Sequence, residues 1–280
     1  MNKRHFNWQR ATRLKKIGLI LIGWLCLYTN AIALPFGIYD ARTMAMGGVG
    51  VATGARTAAF NNPALLSTAD EVHEWFLLLP TIGKQLDDAD DLKNNLANFK
   101  QAANTLLVSP GIANENAVRA SLNAIDGSQY RETSNTAFML AIPSRILSGA
   151  VFLNSYEISN VQPNIDLADV TSPSSPYNST LAHRGIRIVE NGVSAAKALD
   201  AESGWMENMS IGFNAKFLLI ETSGYTESLD TADVEIDNSL GVNSSQFAID
   251  IGAFKEIGVW KIGLVAKNLI PGSYDYGVSN

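Results

Sequence analysis

The chain has 280 residues, 46% of them hydrophobic, with 21 basic and 27 acidic side chains for a net charge of −6. Residues 1–33 contain Lys3, Arg4, Arg10, Arg13, Lys15 and Lys16 and no acid, so the remainder holds 15 basic against 27 acidic side chains, net −12, which makes nucleic acid and anionic surfaces poor partners. The single cysteine, Cys26, also lies in that leading stretch, so disulfides, thiol catalysis and thiolate metal sites are excluded from the rest.

In chain order, the basic stretch precedes an apolar run, Ile17 to Leu27, that is too short to span a bilayer, and Ala31-Ile32-Ala33 offers a small-x-small cleavage site. Residues 1–33 therefore read as a signal peptide. Tyr28-Thr29-Asn30 ends the apolar run early, which weighs against the alternative of an uncleaved anchor, and Leu25 before Cys26 is unlike the small residue that precedes a lipid-modified cysteine. Residues 34–71 are dominated by small side chains, with Gly47, Gly48, Gly50 and Gly54 among alanines. A segment with so little apolar bulk cannot build its own core and is expected to pack inside something else, as a plug.

Alternation with a period of two then recurs, the pattern of strands and not of amphipathic helices. From Met209 to Phe217 every odd position is apolar and every even one is Ser, Gly, Asn or Lys. Phe247, Ile249, Ile251 and Ala253 oppose Asp250 and Gly252; Trp260, Ile262, Leu264 and Ala266 oppose Lys261, Gly263, Val265 and Lys267; Phe138, Leu140 and Ile142 oppose Ala137, Met139 and Ala141. Less regular strands are expected at 74–82, 147–158 and 182–198. In the last, the apolar parity changes between Ile188 and Val193, which suggests a bulge near Glu190. Lys216 and Asp250 sit on the face that would line a lumen and are expected to tolerate substitution better than Phe213 or Ile251.

Connections alternate in length: short ones near 143–145, 200–204 and 256–258, a long one of about fifty residues after the first strand, and two of about twenty at 161–180 and 225–244, as in outer-membrane barrels. The expected fold is therefore all-β: an antiparallel outer-membrane barrel occupying residues 72–280, with a helical extracellular insertion at 85–130. A secreted β-sandwich shares the alternation but lacks a reason for the loop asymmetry. Seven strands are fewer than the eight of small barrels, and Gly277-Val278-Ser279-Asn280 reads as loop, so further strands are expected beyond this sequence.

Within the insertion, Leu92, Leu96, Phe99, Ala103 and Leu106 form one apolar stripe on a helix that starts near the acidic run Asp87-Asp88-Ala89-Asp90-Asp91; a second helix is expected at 115–125. The stripe has two readings, helix docking or a ligand contact formed by Leu92, Leu96 and Phe99. The acidic run suits a helix N-terminus better than calcium, because EF-hand spacing is absent. Catalytic, cofactor and metal constellations are absent: His5, His73 and His183 stand in no nucleophile motif, and Gly48-Val-Gly-Val-Ala-Thr-Gly54 lacks a P-loop lysine. The Asn-x-Ser/Thr tripeptides at Asn178, Asn208 and Asn243 carry no meaning in a bacterial envelope.

Asp40-Ala-Arg-Thr-Met-Ala-Met-Gly-Gly-Val-Gly-Val-Ala, followed by Phe60-Asn-Asn-Pro-Ala-Leu-Leu66, resembles the N-terminal segment of FadL-like outer-membrane proteins. Phe247 to Tyr276 is similar to strand pairs of a related subgroup labelled conjugal-transfer TraF-like, distinct from the thioredoxin-like protein of the same name. The resemblance implies that the N-terminal segment folds into the lumen as a hatch, with Gly47, Gly48, Gly50, Asn62, Pro63 and Ala64 as gate candidates. Pro63 suits that role physically, since it fixes its own φ and biases Asn62 toward extended backbone.

Two functions of different class follow from the resemblance. One is passive passage of small hydrophobic molecules through a Gram-negative outer membrane; the other is a non-transporting envelope barrel that docks or assembles conjugation or secretion machinery. The expected partners are outer-membrane lipid together with hydrophobic ligands or envelope proteins. An envelope enzyme is the third reading and lacks an acid–base pair.

Overall fold

The computed structural model describes residues 50–53, 57–68, 75–142, 144, 146–199, 204–235 and 241–270. The signal peptide, Gly47, Gly48, His73 and the final loop therefore lie outside the described residues. Seven strands form one antiparallel sheet in sequential order, curled as a half-barrel. They are β1 (Phe76–Asp87), β2 (Tyr130–Ile142), β3 (Ser148–Asn164), β4 (Thr180–Leu199), β5 (Met209–Ser228), β6 (Val242–Ile257) and β7 (Trp260–Ala266). No helix among the described residues is long and apolar enough to cross a membrane.

All seven expected strands are present, and most run further than their alternating cores. Strand β5 continues past Phe217 to Ser228 and β3 past Ile158 to Asn164, so the flanking connections are shorter than the sequence suggests. The extensions were hidden because their two faces meet different surroundings, which erases simple alternation. The expected bulge near Glu190 is not formed: β4 keeps unbroken register with β3 from Thr180 to Ala196 and with β5 from Thr180 to Leu199. Its parity changes because Ile188 is buried on one face while Val193 is exposed on the other, so both faces take apolar residues. The register shift falls instead between Leu78 and Thr81 of β1, around Pro80, which has no N–H to give to the ladder.

The two faces of the sheet carry two separate cores. Inward-facing Ala137, Met139, Ala150, Phe152, Ala196 and Phe254 pack against the short helix α1 (Ala58–Asn61) and the 3₁₀ turn Pro63–Thr68. Phe60 meets Phe152 edge to face at 5.5 Å, and burying a side chain of that size contributes about 1.5–3 kcal/mol.

The second core lies at the end of the sheet with the long connections. There α2 (Leu92–Val108) and α3 (Ile112–Ile125), which join β1 to β2, pack with α4 (Leu167–Thr171) of the β3–β4 connection. Leu92, Leu96, Phe99, Val118, Leu122 and Ile125 bury against Tyr130, Val161, Tyr177 and Leu181, and Phe99 stacks edge-on to Tyr177 at 5.1 Å. Asp88 caps α2, accepting from the Leu92 N–H at 2.6 Å, which is the helix-terminus role expected of the acidic run. Arg119 ties α3 to α4 by donating to the carbonyls of Val170 and Thr171. His183 is buried, its ring stacked on Tyr225 at 4.6 Å.

Candidate functional site

Strand β5 shows how the sheet separates its side chains. Its odd residues Ile211, Phe213, Phe217 and Leu219 are exposed, whereas its even residues Ser210, Asn214 and Lys216 are buried. Register then brings polar side chains of adjacent strands together on the inward face. Asn154 lies opposite Glu190, Asn214 lies opposite Asp250, and Lys216 is diagonal to both acids. Lys216 is 2% exposed and its ammonium sits 3.2 Å from Glu190 and 3.0 Å from Asp250, which is 1% exposed.

Neighbouring residues add hydrogen bonds to this cluster. Asn154 donates to Glu190 at 3.2 Å and Asn214 to Asp250 at 3.0 Å. Asn268, just past β7, gives its backbone N–H to Asp250 at 2.9 Å, and its side-chain oxygen accepts from Lys216 at 2.9 Å. An ammonium between two carboxylates, each with a further donor, is the condition under which buried charge is tolerated. The expectation that Lys216 and Asp250 line open lumen and tolerate change is thus corrected, because both are enclosed and paired.

The cluster also holds the N-terminal segment by its main chain. Asn214 donates to the Ala59 carbonyl at 2.8 Å, and the partly buried Lys267 donates to that of Phe60. Asn62 donates through one amide nitrogen to Val51 at 2.9 Å and to Ala253 of β6 at 3.0 Å, while its oxygen accepts from the Ala64 N–H at 3.1 Å. Beneath this segment, Gly212 and Gly252 are direct partners across β5 and β6, with Gly263 on β7 nearby. A Cβ on Gly212 would collide with the backbone of Pro63 and Ala64, one on Gly252 with Asn62, and one on Gly263 with the Val51 carbonyl. At Gly212 and Gly263 backbone meets backbone, and at Gly252 backbone meets the Asn62 side chain, an approach that a side chain at any of the three would block.

Of the gate candidates, Gly50, Asn62, Pro63 and Ala64 are thus gathered at the inward face. Gly50 is closed over by Asn61, against which any Cβ would collide. Leu92, Leu96 and Phe99 are elsewhere, inside the helix-docking core and not facing this cluster. Glu190, Lys216, Asp250, Asn214 and Lys267 were not grouped by sequence reasoning. Alternation marks Lys216 and Asp250 as sharing the inward parity, but only the strand register brings them within bonding distance. Among the described residues, no grouping of three His, Cys, Asp or Glu has a geometry that would hold a metal ion.

Outward, Phe213, Phe247 and Ile251 are exposed together with Val151, Leu153, Val193, Ile262 and Leu264. This band ends at a polar row in register across the strands, Ser134–Glu157–Arg187–Glu221–Asn243, within which Arg187 pairs with Glu221 at 3.5 Å. At the short-turn end stand Trp75, Trp205 and Trp260, each roughly 70% exposed.

Fold and site define a curled antiparallel sheet with an apolar outer face and an inner face that carries both an apolar core and a cluster of paired charges, with an N-terminal segment held against it. The chain belongs to the family described as F plasmid transfer operon TraF protein, whose model matches residues 59–280. No curated protein and no solved structure matches it.

Proposed function

We propose that this protein is an outer-membrane barrel of the FadL-like type, closed by its N-terminal segment, that serves as a docking or assembly component for conjugation or secretion machinery. The observation that carries this reading is the inward cluster of Lys216, Asp250, Glu190 and Asn214, where Asn214 and the neighbouring Lys267 bond the main chain of residues 59–60 on the face that a transport route would follow. A membrane location is supported by the outer face. Its apolar span on β5, Ile211 to Leu219, is bounded by exposed tryptophans at one end and the Glu157–Arg187–Glu221 row at the other, and nine to eleven residues suffice for a transmembrane strand.

The alternative function, passive passage of small hydrophobic molecules, requires an apolar path. A face of paired charges serves it less well, and the apolar helix stripe is already engaged in docking.

The test combines location, flux and transfer. The protein is expected in the outer-membrane fraction and to resist carbonate extraction; recovery as a soluble periplasmic protein would overturn the barrel. The intact protein is expected to add no uptake of hydrophobic compounds to outer-membrane vesicles, while altering the connections at 85–130 or 161–180 lowers mating efficiency. Uptake that depends on the intact protein, with heat-modifiable gel mobility showing a folded barrel, would transfer support to hydrophobic passage.

A further inference from the structure

Resting on the membrane-barrel reading above, we propose that the α2–α3 helix pair is a membrane-surface awning: it overhangs the bilayer outside the barrel wall and seats its uncharged tip, Leu107, Val108 and Ile112, in the interfacial layer of the leaflet on the long-connection side. The face on which the helices dock comes from strand register. Tyr130 pairs with Val161, and Val161 with His183. These residues share the parity of Leu140, Val151, Leu153 and Val193, the outward set, and oppose that of Phe152, Asn154 and Glu190, the inward set. With no register break between β2 and β3 or between β3 and β4, side chains keep one face along a strand. The helix core built on Tyr130, Val161 and Leu181 therefore stands on the outer face, not over the lumen.

Height along the strands points the same way. Moving up the outer face of β4 and β5, the apolar band gives way to Arg187 and Glu221, and four residues further on begins the row Tyr130–Val161–His183–Tyr225, whose first two members belong to the helix core. That separation is about 13 Å along the strand and less along the bilayer normal once the strand tilts, which puts the helices level with lipid headgroups.

The tip has the composition of an interfacial contact. Leu107, Val108 and Ile112 are 69, 85 and 75% exposed, although they lie at the bend of a helix pair whose other leucines and isoleucine are buried. Residues 101–114 contain no charged side chain. The groove between the helices is lined by Asn98, Gln101, Thr105, Asn114 and Ser121; the Thr105 and Ser121 hydroxyls donate to helix carbonyls, which leaves the neutral amides of Asn98, Gln101 and Asn114 to bond headgroup oxygens without desolvating a charge. The 17-residue α2 is about 25 Å long, enough to carry the bend well away from the strands that anchor its start. A lipid surface fits these features, since an apolar tip on an overhang inserts shallowly as interfacial helices do.

Cys26 lies in the expected signal peptide, so the chain from residue 34 accepts a single introduced cysteine for labelling. That protein, reconstituted in phosphatidylcholine vesicles, is labelled with an environment-sensitive nitrobenzoxadiazole at Val108→Cys, at Phe213→Cys in the apolar band, or at the exposed Asp126→Cys. The proposal expects doxyl-labelled lipid to remove most emission from positions 108 and 213 and little from 126, with iodide showing the reverse order. Position 213 quenched by lipid while 108 answers only to iodide would overturn the awning and leave the barrel standing. Position 213 unquenched by lipid would overturn the barrel reading and the awning with it. Shielding of position 108 from both quenchers, dependent on protein concentration, would assign the tip to a second copy and overturn the lipid contact.

Discussion

Two faces of one sheet obey opposite rules here, and β5 displays both. Its outward Phe213 and Phe217 are aromatic and exposed, while one residue away its inward Asn214 and Lys216 are polar and enclosed. In a water-soluble sheet the assignment would be reversed, because apolar area gains by leaving water and charge loses by it. The inversion is stable only if each face has its own remedy. Inward, the remedy is complete pairing of charge; outward, on the proposed reading, it is lipid.

The sharpest way to break this comparison is to remove one partner of the inward charge cluster. Asp250→Ala leaves the Lys216 ammonium short of a counter-charge while enclosed, and should cost about 3–5 kcal/mol in denaturant titrations of the refolded protein. Asp250→Asn should cost less than Asp250→Ala, because it removes the charge but keeps an oxygen to accept from Asn214 or from the Asn268 N–H. If Asp250→Ala costs no more than an exposed substitution, the cluster is solvated and the inward face is open.

Next in size is the outward counterpart. Phe213→Arg should destabilise by about 2–4 kcal/mol in lipid if that position lies near the bilayer midplane. The same change measured in a soluble sandwich would carry a comparable cost on the inward face, so a scan of both faces separates the two architectures.

Gly212→Val tests where the N-terminal segment sits. The new side chain must displace Pro63 and Ala64, and overpacking of this kind costs about 1–3 kcal/mol. Protease sensitivity of residues 57–68 should rise while the strands stay protected. By contrast, Arg187→Ala removes only a half-exposed pair with Glu221 and should cost less than about 1 kcal/mol, with the loss shrinking as salt rises.

The smallest effect is expected beyond the band, in the β5–β6 connection. Burial, reinforced by the charge of nearby Asp169, holds the Asp230 carboxyl above the usual carboxylate range, against the opposing pull of the Tyr177 N–H. The folded state therefore binds this proton more tightly than the unfolded chain. The resulting stabilisation is full below the unfolded pKa, near 4, and is lost as pH rises through the higher folded value. Asp230→Asn should accordingly raise stability at neutral pH, with the advantage over the parent protein vanishing in acid; an advantage that grows in acid would contradict the burial.

Much of this was legible from residues in a row. Period-two alternation located four strands and less regular patterning the other three, the four-three spacing of Leu92, Leu96, Phe99, Ala103 and Leu106 located a helix, and small-residue density marked 34–71, of which 50–53 and 57–68 are described, as a segment that packs against something larger. Alternation and helical spacing are local, repeated within a few residues, so they survive in one dimension. Register is not local. Whether Glu190, Lys216 and Asp250 meet depends on how β4, β5 and β6 are offset, and whether Gly212, Gly252 and Gly263 form one shelf depends on the same offsets. The bulge expected at Glu190 shows the limit, since apolar residues on both faces of a continuous strand imitate a shift that the ladder does not contain. The face taken by α2 and α3 was likewise undetermined: an apolar stripe says that a helix docks, but only the pairing of Tyr130 with Val161 decides on which side of the sheet.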